Sequence, residues 1–130
     1  DGCGLLWYAP LVPMQPVSVR DFVEMVTRVC LKHNFPPLIT LTTVSEQCFD
    51  STVPIVFERH SQAEAGNALY DDLFREGLAQ GVVPYRMAIH AMHHYTQNPD
   101  ARFWQLAAEL KRTLDPQGIL APGRYLPVVI

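Results

Sequence analysis

Apolar and polar positions along this chain fall into segments of two periods. Leu5 to Ala9 (LLWYA) is a short apolar and aromatic run closed by Pro10, the pattern of a strand buried on both faces. After a Pro-rich loop from Pro10 to Pro16, Val19, Phe22, Val26, Val29 and His33 recur at steps of three and four. That spacing predicts an amphipathic helix, opened by Ser18 with Asp21 in its first turn and ending near Asn34, ahead of Pro36 and Pro37. Leu38 to Val44 is rich in β-branched residues and predicts a second strand. Val53 to Glu58 predicts a third, with Pro54 arguing for an edge or a strand end. Ser61 and Glu64 form a capping box before a helix whose Leu69, Tyr70, Leu73, Phe74 and Leu78 make a wide apolar stripe up to Gly81. Val82 to Ile89 predicts a fourth strand. A last helix is predicted from an Asn98 cap and Pro99, with Phe103, Ala107, Leu110 and Leu114 facing inward and Asp115-Pro116-Gln117-Gly118 as its stop. The tail from Ile119 to Ile130 has two prolines and a glycine and is expected to be irregular.

The order strand, helix, strand, strand, helix, strand predicts an α+β fold: a ferredoxin-like split βαβ antiparallel sheet with helices on one face, plus a C-terminal helix and an irregular tail. Such a sheet leaves its other face uncovered and in need of a partner. With 130 residues, 48% hydrophobic and 18% charged, the chain is expected to make one globular domain. A net charge of −3 and a pI near 5.9 supply no broad positive surface, which argues against nucleic acid. No apolar run is long enough for a membrane span. The opening Asp1-Gly2-Cys3-Gly4 lacks an initiator Met and a signal-peptide pattern, so the chain reads as a piece of something larger. Three widely spaced cysteines, Cys3, Cys30 and Cys48, make no disulfide framework and fit a reducing, cytoplasmic setting. Cys30 reads as a small core hydrophobe.

Candidate chemistry concentrates in a few places. Tyr85 and Arg86 pair a phenol with a forked, permanent cation, a plausible grip for an oxyanion. The positive charge would lower the pKa of a bound phenol from about 10 and favour the phenolate. From the dipeptide alone, an edge-strand Tyr packed on a surface Arg is the favoured reading. His90, His93 and His94 have the i, i+3, i+4 spacing of one helical face. No Cys or carboxylate stands beside them, which favours pocket-lining or solvated histidines and no metal. His33, at a helix end, complements the macrodipole as a cation, and His60 reads as a loop residue. Trp7 reads as core or as the wall of a flat cavity. The segment Ile119-Leu-Ala-Pro-Gly-Arg-Tyr125 aims Arg124 out of a rigid turn.

The stretch Asp115-Pro-Gln-Gly-Ile-Leu-Ala-Pro-Gly-Arg124, preceded by a helix and by Tyr85-Arg86, resembles the C-terminal part of the flavoproteins related to vanillyl-alcohol oxidase and 4-cresol dehydrogenase. The opening Gly2-Cys-Gly-Leu-Leu-Trp-Tyr-Ala-Pro10 is similar to a strand of the same family, and the likeness runs from Asp1 to about Tyr125. The resemblance implies that residues 1–130 are a C-terminal cap or substrate domain whose FAD-binding domain lies outside the chain. It implies oxidation of para-substituted phenols or phenolic alcohols, with hydride passing from the benzylic carbon to flavin. In this view Tyr85 and Arg86 hold the phenolate, Arg86 also stabilises charge on the reduced flavin, Trp7 lines the substrate pocket and Arg124 lies near the flavin. His93 stands where the family has an aspartate and takes a polar role in the pocket. The implied cofactor is FAD. The implied partners are a phenolic substrate, an FAD-binding domain or chain and an oxygen or cytochrome acceptor, in a homo-oligomer. Thr40 and Phe49 replace a glutamate and a histidine of the family's pocket and cannot act as base or charge partner. Leu5 takes the place of a flavin-linking histidine. No Gly-rich fingerprint marks a pyrophosphate site, so the chain alone is not expected to hold FAD tightly. Two alternatives remain: a non-catalytic ligand-binding or interaction domain of the same fold, and a subunit completing a flavin site on another chain.

Overall fold

A computed structural model describes residues 2–96 and 102–125. Asp1, the Asn98 cap with Pro99, and the end of the tail from 126 to 130 lie outside the described residues. The chain divides into two units, Asp1–Arg86 and Met87–Ile130.

The first unit holds β1 (Cys3–Tyr8), β2 (Leu11–Pro13), α1 (Pro16–Lys32), β3 (Thr40–Thr43), β4 (Cys48–Glu58) and α2 (Ala63–Ala79). The central strand is β4, longer by five residues at its start than the Val53–Glu58 pattern suggests. On one side it pairs antiparallel with β1, Tyr8 facing Val53, and then with β2, Leu11 facing Asp50. The register runs on unchanged across Ala9 and Pro10. The break there has a local cause: Ser51 N donates to Pro10 O at 3.0 Å, and Pro10 has no N–H to return. On the other side β3 pairs with the first half of β4 and stops at the Thr40–Thr52 pair. Pro54 lies beyond that point, where β4 has a partner on one side only, so a proline fits inside a central strand.

The fourth strand expected over Val82–Ile89 shrinks to one bridge between Pro10 and Pro84. Two hydrogen bonds flank it, Leu11 N to Val83 O at 3.1 Å and Tyr85 N to Ala9 O at 3.2 Å. By Ile89 the chain has already entered a 3₁₀ turn. The order across the sheet is therefore the Pro84 segment, β1 with β2, β4, then β3. This is the antiparallel α+β, ferredoxin-like arrangement expected from the sequence.

Both helices pack on one face of this sheet, and burial alternates accordingly. Tyr8, Val12, Val53, Ile55 and Phe57 face inward and meet Phe22, Val26, Leu69, Leu73 and Phe74, each fully or nearly buried. Each such side chain contributes roughly 1.5–3 kcal/mol of burial free energy. Tyr8 meets Tyr70 edge to face at 6.1 Å. A Cβ on Gly77 would collide with Tyr8 Oη, so α2 can approach β1 only with glycine there.

Helix starts differ from the sequence signals. Helix α1 begins at Pro16, which pre-sets the backbone angle of a first turn, and not at Ser18. Ser61 does not cap α2, because its hydroxyl donates to Glu58 Oε2 at 2.6 Å and the helix starts two residues later. The same carboxylate oxygen accepts from His60 N and Ser61 N, and these bonds hold Glu58 below the usual carboxylate range.

The second unit holds a 3₁₀ turn (Ile89–Ala91), α3 (His93–Thr96) and α4 (Arg102–Leu114). Contrary to the inward-facing expectation for α4, none of its residues is buried, and Phe103 and Leu114 are 69% and 77% exposed. Among the described residues this unit has no sheet or second long helix for that stripe to cover. The turn after α4 is irregular as expected, with positive φ at Gly118, Ala121, Gly123 and Tyr125.

Candidate functional site

Trp7 lies on β1 between inward-facing Leu6 and Tyr8, so it belongs to the sheet face that carries no helix, and it is 53% exposed. Ala9, two residues on, shares that face. The Tyr85 N to Ala9 O bond sets Tyr85 directly opposite Ala9 in the neighbouring segment, with its ring 46% exposed. Following the register across the sheet, one row reads Tyr85, Ala9, Thr52, Thr40. The next row reads Val83, Leu11, Asp50, Thr42. Ala9 faces this side and is 7% exposed. The result is a shallow floor of Ala9 and Thr52 between Trp7, Leu11, Tyr85 and Thr40.

The Arg86 guanidinium lies over the Tyr85 ring, 5.5 Å from its centroid. Contact is through the ring face and leaves both the phenol hydroxyl and the guanidinium N–H groups open to a third group. Trp7, Tyr85 and Arg86 all belong to the first unit.

His93 and Arg124 belong to the second unit and are described there by themselves. His93 opens α3, is exposed, and its Nδ1 lies 2.7 Å from His90 O. The His93 and His94 rings are 4.1 Å apart, but His90 sits in the separate 3₁₀ turn, so the three do not share a regular helical face. Among the described residues no cluster of His, Cys, Asp or Glu is arranged to hold a metal ion.

Arg124 is exposed on a turn fastened at both ends. At its start, Asp115 accepts from Ile119 N at 3.0 Å, from Leu120 N at 2.9 Å and from Lys111 Nζ. The ammonium and the amides hold the Asp115 carboxyl below the usual range. At its end, Tyr125 stacks on Trp104 of α4 with ring centres 6.2 Å apart. Sequence reasoning recognised the Asp115 stretch as a helix stop and missed this cradle, although Lys111 at i−4 was a visible signal.

Two further groups escaped the sequence. Asp72 on α2 gathers His33 Nε2 at 2.9 Å, Lys32 Nζ at 3.0 Å and an Arg75 nitrogen at 2.6 Å. Its carboxyl is held far below the ordinary value, chiefly by His33 and Lys32. His33 is therefore a partner of Asp72 as well as the end residue of α1. Cys30 is buried, and burial pushes its thiol up, which suits an inert core residue.

The residues fit part of a flavin site. A flat open face with an aromatic wall and an exposed guanidinium suits an aromatic guest and negative charge. A backbone cradle for a pyrophosphate at a strand–helix junction is not found among the described residues. No described helix is long and apolar enough to cross a membrane.

No protein-family model matches the chain. In sequence it is 35% identical over 127 residues to the 1'-carboxy-chondrochloren decarboxylase of Chondromyces crocatus, covering 96% of this chain and 23% of that protein. It is 24% identical over 125 residues to the 4-cresol dehydrogenase flavoprotein subunit of Pseudomonas putida, covering 95% and 24%. In fold it matches p-cresol methylhydroxylase with substrate bound, at a TM-score of 0.87 and 22% identity over 95% of this chain and 24% of that one. It also matches 4-ethylphenol oxidase from Gulosibacter chungangensis in its isoeugenol complex, at a TM-score of 0.81 and 19% identity, covering 98% and 25%. The chain spans about a quarter of the length of these relatives. With the Tyr85-Arg86 pair and the Asp115–Arg124 turn already in view, the chain is similar in sequence to a stretch of a 4-cresol dehydrogenase flavoprotein subunit and shares the fold of about a quarter of a p-cresol methylhydroxylase and of a 4-ethylphenol oxidase.

Proposed function

We propose that this chain is the C-terminal cap or substrate portion of an FAD-dependent oxidoreductase acting on para-substituted phenols or phenolic alcohols. The FAD-binding portion is supplied by a domain or chain not included in these residues. The observation that carries the reading is the open sheet face. Trp7 and Tyr85 wall a floor of small residues there, and the Arg86 guanidinium lies against the Tyr85 ring. The names of two fold relatives, a p-cresol methylhydroxylase and a 4-ethylphenol oxidase, support a phenolic guest for such a face.

In this reading Arg86 and the Tyr85 hydroxyl donate to the phenol oxygen and keep it ionised once water is displaced. Electron density on that oxygen expels the benzylic hydride, so donors aimed at it act where charge matters most. A bound flavin supplies the two-electron acceptor for the hydride. Trp7 fixes the plane of the ring. Arg86 and Arg124 are the cations offered to the flavin, and His93 is offered to the pocket as a polar group. Thr40, on the same row as Tyr85, bears a hydroxyl and does not supply a base.

A second reading is favoured by one observation: the relative with the higher identity is named a decarboxylase. In it the same phenolate grip serves a substrate that loses carbon dioxide. Identification of the carbon product separates the two.

The test is Arg86→Ala in the complete flavoprotein. Loss of a charged donor to the phenolate is expected to lower kcat/KM for a 4-alkylphenol by about 30-fold or more, with Arg86→Lys recovering part of it. A loss of only a few-fold would overturn the phenolate grip.

A further inference from the structure

Asp50 is a charged group on the open face that the proposed chemistry does not use. It lies on β4 opposite Leu11 of β2 and Thr42 of β3, one row from the Ala9–Thr52 floor. Its Oδ1 is sealed from solvent and takes no hydrogen bond among the described residues. A carboxylate oxygen desolvated without a donor is costly, and native proteins rarely keep one without a reason. Packing gives none, because a Leu or Thr would fill this half-buried position on the sheet at less cost. The other carboxylate oxygen, Oδ2, is not sealed, and it is the one that a donor arriving on the floor can reach.

Position gives the donor its chemistry. Tyr85 and Asp50 are two strands and one row apart, about 12 Å between their backbone positions at ordinary sheet spacings. A phenol whose oxygen is gripped at Tyr85 and Arg86 extends its para substituent across Ala9 and Thr52 toward Asp50. At one end of this floor is a cation, and at the other an acceptor that can only receive hydrogen bonds.

We infer that Asp50 is a specificity-determining residue that accepts a hydrogen bond from a hydroxyl or N–H donor on the para side chain of the substrate. The inference rests on the proposed function and adds to it a class: phenols whose side chain ends in a donor, over plain alkylphenols. Sites built to hydrogen-bond a substrate group discriminate against analogues lacking it, because their own polar atoms are then left unpaired.

The experiment compares 4-(2-hydroxyethyl)phenol with 4-propylphenol, which differ by hydroxyl for methyl, on the complete flavoprotein. For the unaltered protein kcat/KM is expected to favour the hydroxyl compound by about tenfold or more. Asp50→Asn is expected to shrink that ratio and Asp50→Leu to invert it, with 4-propylphenol turnover held within about threefold in both. Because Oδ1 has no partner to lose, the melting temperature of the substrate-free protein is expected not to fall in Asp50→Asn. If 4-propylphenol is used as well as the hydroxyl compound, or the ratio survives both substitutions, the role of Asp50 is wrong and the phenol reading stands. Turnover of neither phenol by the unaltered protein overturns both. A marked fall in melting temperature for Asp50→Asn assigns the carboxylate to structure and also overturns the inference.

Discussion

Gly77 shows how a single atom limits the fold. It faces Tyr8 Oη, and no side chain fits between helix and strand there. Gly77→Ala is expected to destabilise by about 1–3 kcal/mol, the usual range for overpacking, read as a shift in the denaturant midpoint. Truncating its neighbour in the same contact, Tyr8→Phe, removes the hydroxyl and is expected to make Gly77→Ala less costly in a double-mutant cycle. At this scale the sequence was informative about chemistry that needs only one or two neighbouring residues. Tyr85-Arg86 stood out as a phenol beside a cation, although residue type alone favoured a surface pair, and the pocket role of Trp7 came with the family resemblance. Asp50 could not, since its significance lies in an oxygen with no donor, a property of strand register that no local pattern carries. The Asp72 cluster was hidden for a similar reason, as its partners come from the end of α1 and the middle of α2.

Between elements, Asp72 fastens α1 to α2. It also makes their association sensitive to acid. The ordinary aspartate value is 3.8, and the folded one lies far below it because His33, Lys32 and Arg75 stabilise the charged form. A carboxyl whose folded value is depressed contributes stability that is complete above its unfolded value and is lost as pH falls below it toward the folded value. Stability of the first unit is therefore expected to fall below about pH 4, and Asp72→Asn is expected to flatten that dependence while costing about 1 kcal/mol at neutral pH, since Lys32 and Arg75 are largely exposed. Urea denaturation at a series of pH values checks both. Element existence was legible because apolar periodicity is local: both long helices and three strand segments stand where the pattern put them. Element ends were less so. Ser61 has the chemistry of a helix cap, yet Glu58 competes for its hydroxyl, and Pro16 starts α1 earlier than Ser18. Pro54 suggested an edge, which is true only of the side of β4 that β3 does not reach.

For the chain as a whole, two units without a described pyrophosphate cradle are not expected to retain FAD. Expressed alone and passed through a sizing column, residues 1–130 should carry no visible flavin absorbance, whereas the complete protein should. Retained flavin would mean that these residues hold the cofactor by a route not described above. The open face and the apolar stripe of α4 point the same way: both present surface that the units themselves do not cover. The antiparallel α+β class was legible from the order of elements. The fourth strand, by contrast, was overdrawn, because a β-branched run ending in Pro84 and Tyr85 reads as extended whether or not a neighbour is there to pair with it.

That shortened strand has a kinetic consequence. The Leu11 and Tyr85 amides bond across the bridge that joins the segment before Arg86 to the sheet, beside prolines that have no amide proton to add. Those two amides should exchange with deuterated solvent sooner than the amides of β1 and β4. The residues proposed to clasp a substrate would then sit on a hem that loosens before the cloth does, free to adjust while the sheet behind them stays rigid.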